Sequence, residues 1–141
     1  MGNHLTFGAV VVCCLCLIVG PAHSQDGKAA APGQGMVLVR ALMCEYIEAY
    51  EPRHPAVAFS INTGRISCYT TFDRIANPTH AFHKWYRRDA LVTTKRLSLK
   101  PPSWSTYSSI QLREADKGPW RVEIRDARNR LLQTLRFSVI D

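Results

Sequence analysis

The chain lacks the short motifs from which reaction chemistry is usually read. There is no G-x-S-x-G, no H-E-x-x-H and no P-loop. Beyond the apolar run at the start, where Cys13 and Cys16 happen to be so spaced, there is no C-x-x-C, which argues against thioredoxin-like redox work, and nowhere a C-x-x-C-H, which excludes covalent haem. His80 and His83 stand three apart, so on a strand their rings point to opposite faces, and His54 supplies no third ligand at a recognisable spacing. No metal and no cofactor are expected. Asp73, Glu114, Asp116 and Asp126 fall where turns are expected, and there Asp is a turn former before it is a catalyst. No catalytic residue is therefore named, and a non-enzyme is expected. An enzyme built around His83 would need a cleft holding it within reach of a carboxylate or hydroxyl.

Acidic side chains are also scarce: 11 Asp and Glu stand against 18 Lys and Arg in 141 residues, a formal net charge of +7. An isoelectric point near 9.5 implies attraction to anionic surfaces at neutral pH. Nothing resembling a nucleic-acid-binding motif accompanies that charge, so no specific nucleic-acid partner is expected. The bland alternative is that a folded domain simply wears its Arg and Lys on a wet face.

Long apolar runs are absent except at the start. Leu5 to Gly20 reads LTFGAVVVCCLCLIVG, and Pro21-Ala22-His23-Ser24 then places small residues where an A-x-A-like cleavage site needs them. The reading is a signal peptide over 1–24, cut after Ser24, and an exported protein that is periplasmic or secreted. The run is short and quickly followed by polar sequence, so membrane contact is expected only through an uncleaved leader. The n-region, Met1 to His4, lacks the usual Lys or Arg. Residues 25–35, small and polar with Pro32, Gly33 and Gly35, read as a flexible tether, and 36–141 as one folded domain.

Cleavage would remove Cys13, Cys14 and Cys16 and leave Cys44 and Cys68, an even number in an oxidising compartment. A Cys44–Cys68 disulfide is expected, worth about 3 to 4 kcal/mol by the chain-entropy estimate. The alternative is two separate buried thiols.

The folded part has the period of strands. Expected strands run over Val37 to Ile47, Val57 to Ile61, Arg65 to Phe72, Ala81 to Tyr86, Leu91 to Leu99, Trp104 to Leu112, Trp120 to Ile124 and Leu131 to Val139. Turns are expected at Asn62-Thr63-Gly64, Arg87-Arg88-Asp89 and Ala127 to Arg130, with breaks at Pro52 to Pro55 and at Pro101-Pro102. About eight strands in this length predict an all-β fold: a single antiparallel β-sandwich of immunoglobulin or fibronectin type after the signal peptide. Arg40 to Tyr50 also suits a helix, because Leu, Met, Glu and Ala favour one.

Alternation assigns faces. Ile66, Cys68, Thr70 and Phe72 share one, Trp120, Val122 and Ile124 another opposite Arg121, Glu123 and Arg125, and Leu131, Leu135, Phe137 and Val139 a third opposite Thr134, Arg136 and Ser138. His83 and Trp85 point one way, Lys84 and Tyr86 the other.

The contact surface expected from this pattern comprises His83, Trp85, Tyr86, Arg87, Arg88, Trp104, Tyr107, Arg121, Arg125 and Arg136. Its expected partner is a protein or an anionic component of the cell envelope. Trp104 and Tyr107, set among serines and a threonine, suggest the alternative of a carbohydrate or small-ligand module, because aromatic faces stack on sugar rings.

In order along the chain, Cys44, Cys68-Tyr69-Thr70, His83-x-Trp85-Tyr86, Trp104 to Ser109, Gly118-Pro119-Trp120-Arg121-Val122 and Phe137-Ser138-Val139 form a set. This set resembles the bacterial family known as domain of unknown function 2914, over nearly all of Leu38 to Asp141. The resemblance implies an exported bacterial β domain and supplies no catalytic residues. In the last turn Asn129 stands where the family commonly has glycine, and Asn also tolerates a left-handed backbone.

Overall fold

The computed structural model describes residues 35–141 and Gly2. Apart from Gly2 the expected leader, and apart from Gly35 the expected tether, lie outside the described residues. Residues 35–141 belong to one compact unit.

Nine strands form its described part: β1 (Val37–Glu48), β2 (Glu51–Pro55), β3 (Ala58–Ser60), β4 (Arg65–Asp73), β5 (Thr79–Arg87), β6 (Ala90–Leu99), β7 (Trp104–Gln111), β8 (Gly118–Asp126) and β9 (Leu131–Ile140). They lie in a four-stranded sheet ordered β2-β1-β4-β7 and a five-stranded sheet ordered β3-β9-β8-β5-β6. The two sheets pack as a β-sandwich, the expected class.

Three details differ from expectation. The first is β2. Its prolines suggest a break, yet Pro52 and Pro55 sit on an edge strand, where a missing N–H costs no ladder bond. The second is β3, which pairs with β9 in parallel, so the sandwich is not wholly antiparallel. The third is Leu131. A bulge between Ile124 and Arg125 sets Leu131 opposite Arg125 and leaves it exposed instead of inside with Phe137 and Val139.

Arg40 to Glu48 belongs to β1, not to a helix. Pairing along β4 sets Ala41 opposite Thr70 and Met43 opposite Cys68, and this long-range ladder overrides local helix preference. The Asn62-Thr63-Gly64 turn forms as read: Ile61–Thr63 is a short 3-10 turn capped by the Ser60 hydroxyl, and Gly64 closes it at φ 71°.

The core lies between the sheets. Phe137 stacks on Trp120 at 6.1 Å between centroids and meets Trp85 and Phe59 edge-on at 6.2 and 6.0 Å. Ile66, Phe72, Leu99, Val122 and Ile124 pack around this cluster, all essentially without solvent contact.

Candidate functional site

Register sorts the expected contact residues into core and surface. On β5, Ala81, His83 and Trp85 alternate inward, and His83 and Trp85 are both 0% exposed. They are therefore withdrawn from the expected contact surface, because the face they share is the one that closes the sandwich.

Inside, the two residues serve as a polar bridge. The Trp85 indole N–H donates to Ser108 Oγ at 3.1 Å, and Ser108 Oγ lies 2.8 Å from His83 Nδ1. His83 Nε2 lies 3.1 Å from Thr70 Oγ1, which donates to the Thr106 carbonyl at 3.4 Å. Since the indole only donates, the Ser108 hydroxyl accepts from it and donates to Nδ1, so His83 carries its proton on Nε2. Every donor then has an acceptor, and β5 of one sheet is tied to β4 and β7 of the other. Burial pushes the His83 pKa down to about 3, so the imidazole is neutral. Its partners are two hydroxyls in a closed core, not the cleft that acid–base chemistry would need.

The opposite side of β5 faces outward. Tyr86 lies opposite Arg121 on β8, Lys84 opposite Glu123, and Phe82 opposite both Arg125 and, on β6, Arg96. On β9, Arg136 stands directly opposite Arg121. Lys84, Arg96, Arg121, Arg125 and Arg136 thus share one sheet face whose strands carry one carboxylate, Glu123, while Asp89 joins it from the β5–β6 turn. Lys84 and Arg96 join the contact residues expected from the sequence. Lys84 was within reach of alternation, which groups it with Tyr86, whereas Arg96 needed the register of β6.

This face is held in place. The Arg121 guanidinium lies 4.1 Å over the Tyr86 ring, pairs with Asp89 in the β5–β6 turn, and approaches Glu123 at 3.3 Å. Arg125 contacts the other Glu123 oxygen through Nε and Nη2, at 2.9 and 2.8 Å, and reaches the Asn129 carbonyl at 2.8 Å. Partial burial pushes the Glu123 carboxyl up, but hydrogen bonds from Arg125 and then Arg121 outweigh it and leave the group below its ordinary range. Arg136 has no carboxylate partner among the described residues, and neither does Lys84.

Behind Arg125, Asp126 organises the last turn. Its Oδ1 accepts the Arg128 and Arg130 amides, both at 2.9 Å, while its Oδ2 takes the Arg130 Nε at 2.7 Å. Asn129 adopts φ 63° there, the left-handed conformation anticipated for it.

Two expected contact arginines lie at the end of the sheet. Arg87 turns aside to the Ala115 carbonyl at 2.6 Å and Asp116 Oδ1 at 2.8 Å, anchoring the loop before β8. Arg88 occupies the β5–β6 turn beside Pro119.

Trp104 and Tyr107 belong to β7 of the other sheet, so they stand apart from the basic face. Three residues apart on one strand, they point to opposite sides, and no shared aromatic platform forms. Tyr107 is 49% exposed, while the neighbouring hydroxyls bond each other: Ser67 to Ser109 at 2.8 Å and Thr71 to Ser105 at 2.9 Å. Charge on this second sheet is largely matched, with Arg40 on Glu51, Arg53 on Glu48 and His54 on Glu45.

Cys44 and Cys68 are free, buried thiols, not the expected disulfide. Cys44 is opposite Ser67 and Cys68 opposite Met43 in the β1–β4 ladder, so the two sulfurs leave opposite faces of the same sheet. Burial pushes Cys44 up to about 11 and Cys68 well above the usual thiol range.

Residues 78–139, from the approach to β5 to near the end of β9, match the model of the family described as "Protein of unknown function (DUF2914)". The match bears out the family resemblance over a shorter span than Leu38 to Asp141, and it contains every residue of the basic face. No curated protein matches the chain. Among solved structures, a selenomethionine-labelled β-glucosidase from Kluyveromyces marxianus is similar over 55% of this chain and 13% of its own, at 13% identity and a TM-score of 0.39. That likeness is too slight to bear on function.

Proposed function

We propose that this chain, whose residues 78–139 match the DUF2914 family, is a non-enzymatic binding module that presents its five-stranded sheet to an anionic polymer of the cell envelope. One observation carries the reading: Lys84, Arg96, Arg121, Arg125 and Arg136 share one sheet face whose strands carry one carboxylate, with Asp89 at the turn, whereas the other sheet pairs most of its charges. A surface that merely needed solubility would interleave both signs. Pre-positioning also supports it, since the Tyr86 ring and Glu123 hold Arg121 and Arg125 and lower the ordering cost of contact.

Export to the periplasm or beyond belongs to the same proposal. It rests on the apolar run from Leu5 to Gly20 and the small residues before Gln25. In such a compartment anionic polymers and lipids are abundant, and a basic face would find them by long-range attraction.

The test is co-sedimentation of the purified protein with isolated cell-envelope fractions across a salt series. Binding that weakens steeply with salt is expected. Absence of binding at low salt would reject the polymer and direct attention to protein partners.

A further inference from the structure

One end of the basic face closes into a pocket of 100 Å³ lined by Tyr86, Arg88, Asp89, Trp120, Arg121 and Arg136, with Pro119 at its edge. We propose that this pocket binds a phosphate group, with Arg88, Arg121 and Arg136 as its donors. The inference deepens the basic-face reading and rests on it.

Four observations converge. First, Arg121 and Arg136 are direct cross-strand neighbours on β8 and β9. Like charges in that position repel, and an oxyanion between them converts the repulsion into two attractions. Second, Arg121 is fixed from below by Tyr86 and from one side by Glu123, so its remaining donors have a set direction. Third, Arg88 is brought in by backbone design. Arg88 and Asp89 both adopt left-handed φ, 45° and 67°, in the turn between β5 and β6. The Arg88 amide bonds the Pro119 carbonyl at 3.1 Å, and its guanidinium, seated over Gly118 and 3.5 Å from the Lys117 carbonyl through Nη2, borders the pocket and swings onto a bound oxyanion.

The fourth observation is Asp89 itself. Its side chain is 91% exposed, yet its carboxylate engages Arg121 Nη1. An exposed carboxylate on a three-arginine pocket stands in for the ligand's oxyanion and is readily displaced by it, because a surface ion pair contributes little. A volume of 100 Å³ gives room for one tetrahedral oxyanion.

The experiment titrates the purified protein with inorganic phosphate and follows the arginine Nε–H resonances by NMR. Saturable shifts are expected at Arg88, Arg121 and Arg136. Arg136→Gln should weaken binding about tenfold, the worth of one charge-assisted contact. Asp89→Asn, which keeps a residue tolerant of left-handed φ, should tighten it about threefold, the worth of an exposed ion pair. Vesicles of phosphatidylcholine with and without phosphatidate identify the source: phosphatidate-dependent sedimentation of wild type but not Arg136→Gln assigns a lipid headgroup, and phosphate binding without it assigns a soluble or glycan-borne phosphate. No saturation, or saturation that Arg136→Gln leaves unchanged, overturns the pocket. If salt-sensitive binding to envelope fractions persists in that case, the basic face stands without the pocket; if it is lost as well, both readings fall.

Discussion

Arg121 and Arg136 face each other across β8 and β9, and Arg121 is held over the Tyr86 ring. A sheet surface selected only for stability would place opposite charges at such a pair, which contributes roughly 0.2 to 1 kcal/mol. Arg136→Glu should therefore raise the unfolding free energy by that amount, measured by urea denaturation, while weakening contact with anionic material. A variant that loses stability would mean that Arg136 has a structural partner after all.

His83 predicts the acid behaviour of the fold. Its pKa is depressed to about 3 by burial, against an ordinary 6.5, so the unfolded chain binds the proton more readily. The sign is then set: the native state keeps its full margin above pH 6.5 and loses it progressively down to about pH 3, by about 4 to 5 kcal/mol in all. Glu123 and Asp126, both lowered in the fold, steepen the acid end of that loss. His83→Gln, which keeps hydrogen-bonding capacity without a titrating ring, should flatten the decline below pH 6.5 when denaturant midpoints are compared across pH. An unchanged profile would place the titration elsewhere.

The thiols give a chemical prediction. Because Cys44 and Cys68 leave opposite faces of one sheet, the folded protein should contain both in reduced form. Alkylation should be slow in the native state, where burial disfavours the thiolate, and complete at both positions after unfolding without reductant. Mass spectrometry counts the adducts. A bridged pair would leave both positions unmodified until reductant is added.

Two glycines separate backbone strain from seating. Gly64 has φ 71° with open space around the Cβ position, so Gly64→Ala should cost about 1 kcal/mol through conformation alone. Gly118 has φ 116° and carries Arg88 against it, so Gly118→Ala should cost more, about 1 to 3 kcal/mol, and displace the Arg88 side chain. Thermal melts rank the two, and equal losses would mean that Arg88 moves aside freely.

Much of the fold was legible because a strand exposes its period. Alternation alone put His83 with Trp85, Lys84 with Tyr86, and Trp120 with Val122 and Ile124. Alternation does not say which face is inside, so the surface expected for His83 and Trp85 became core. It also cannot see across strands. That Arg136 lies beside Arg121, and Arg96 beside Phe82, follows from ladder registers shifted by bulges at Trp85/Tyr86 and Ile124/Arg125. The expected Cys44–Cys68 bridge fails for a related reason: counting cysteines ignores that one-residue register offsets reverse the face. β2 escaped because its prolines are tolerated only at an edge, and edge position is a property of the finished sheet.

The most direct measurement of the central claim compares matched charge reversals on the two sheets in co-sedimentation with envelope fractions at low salt. One variant carries Lys84→Glu and Arg125→Glu on the five-stranded sheet; the other carries Arg40→Glu and Arg65→Glu on the four-stranded sheet, an equal change in net charge. The account predicts that the first abolishes binding and the second preserves most of it. Equal loss in both would contradict it, because net charge and not this face would then account for the attraction.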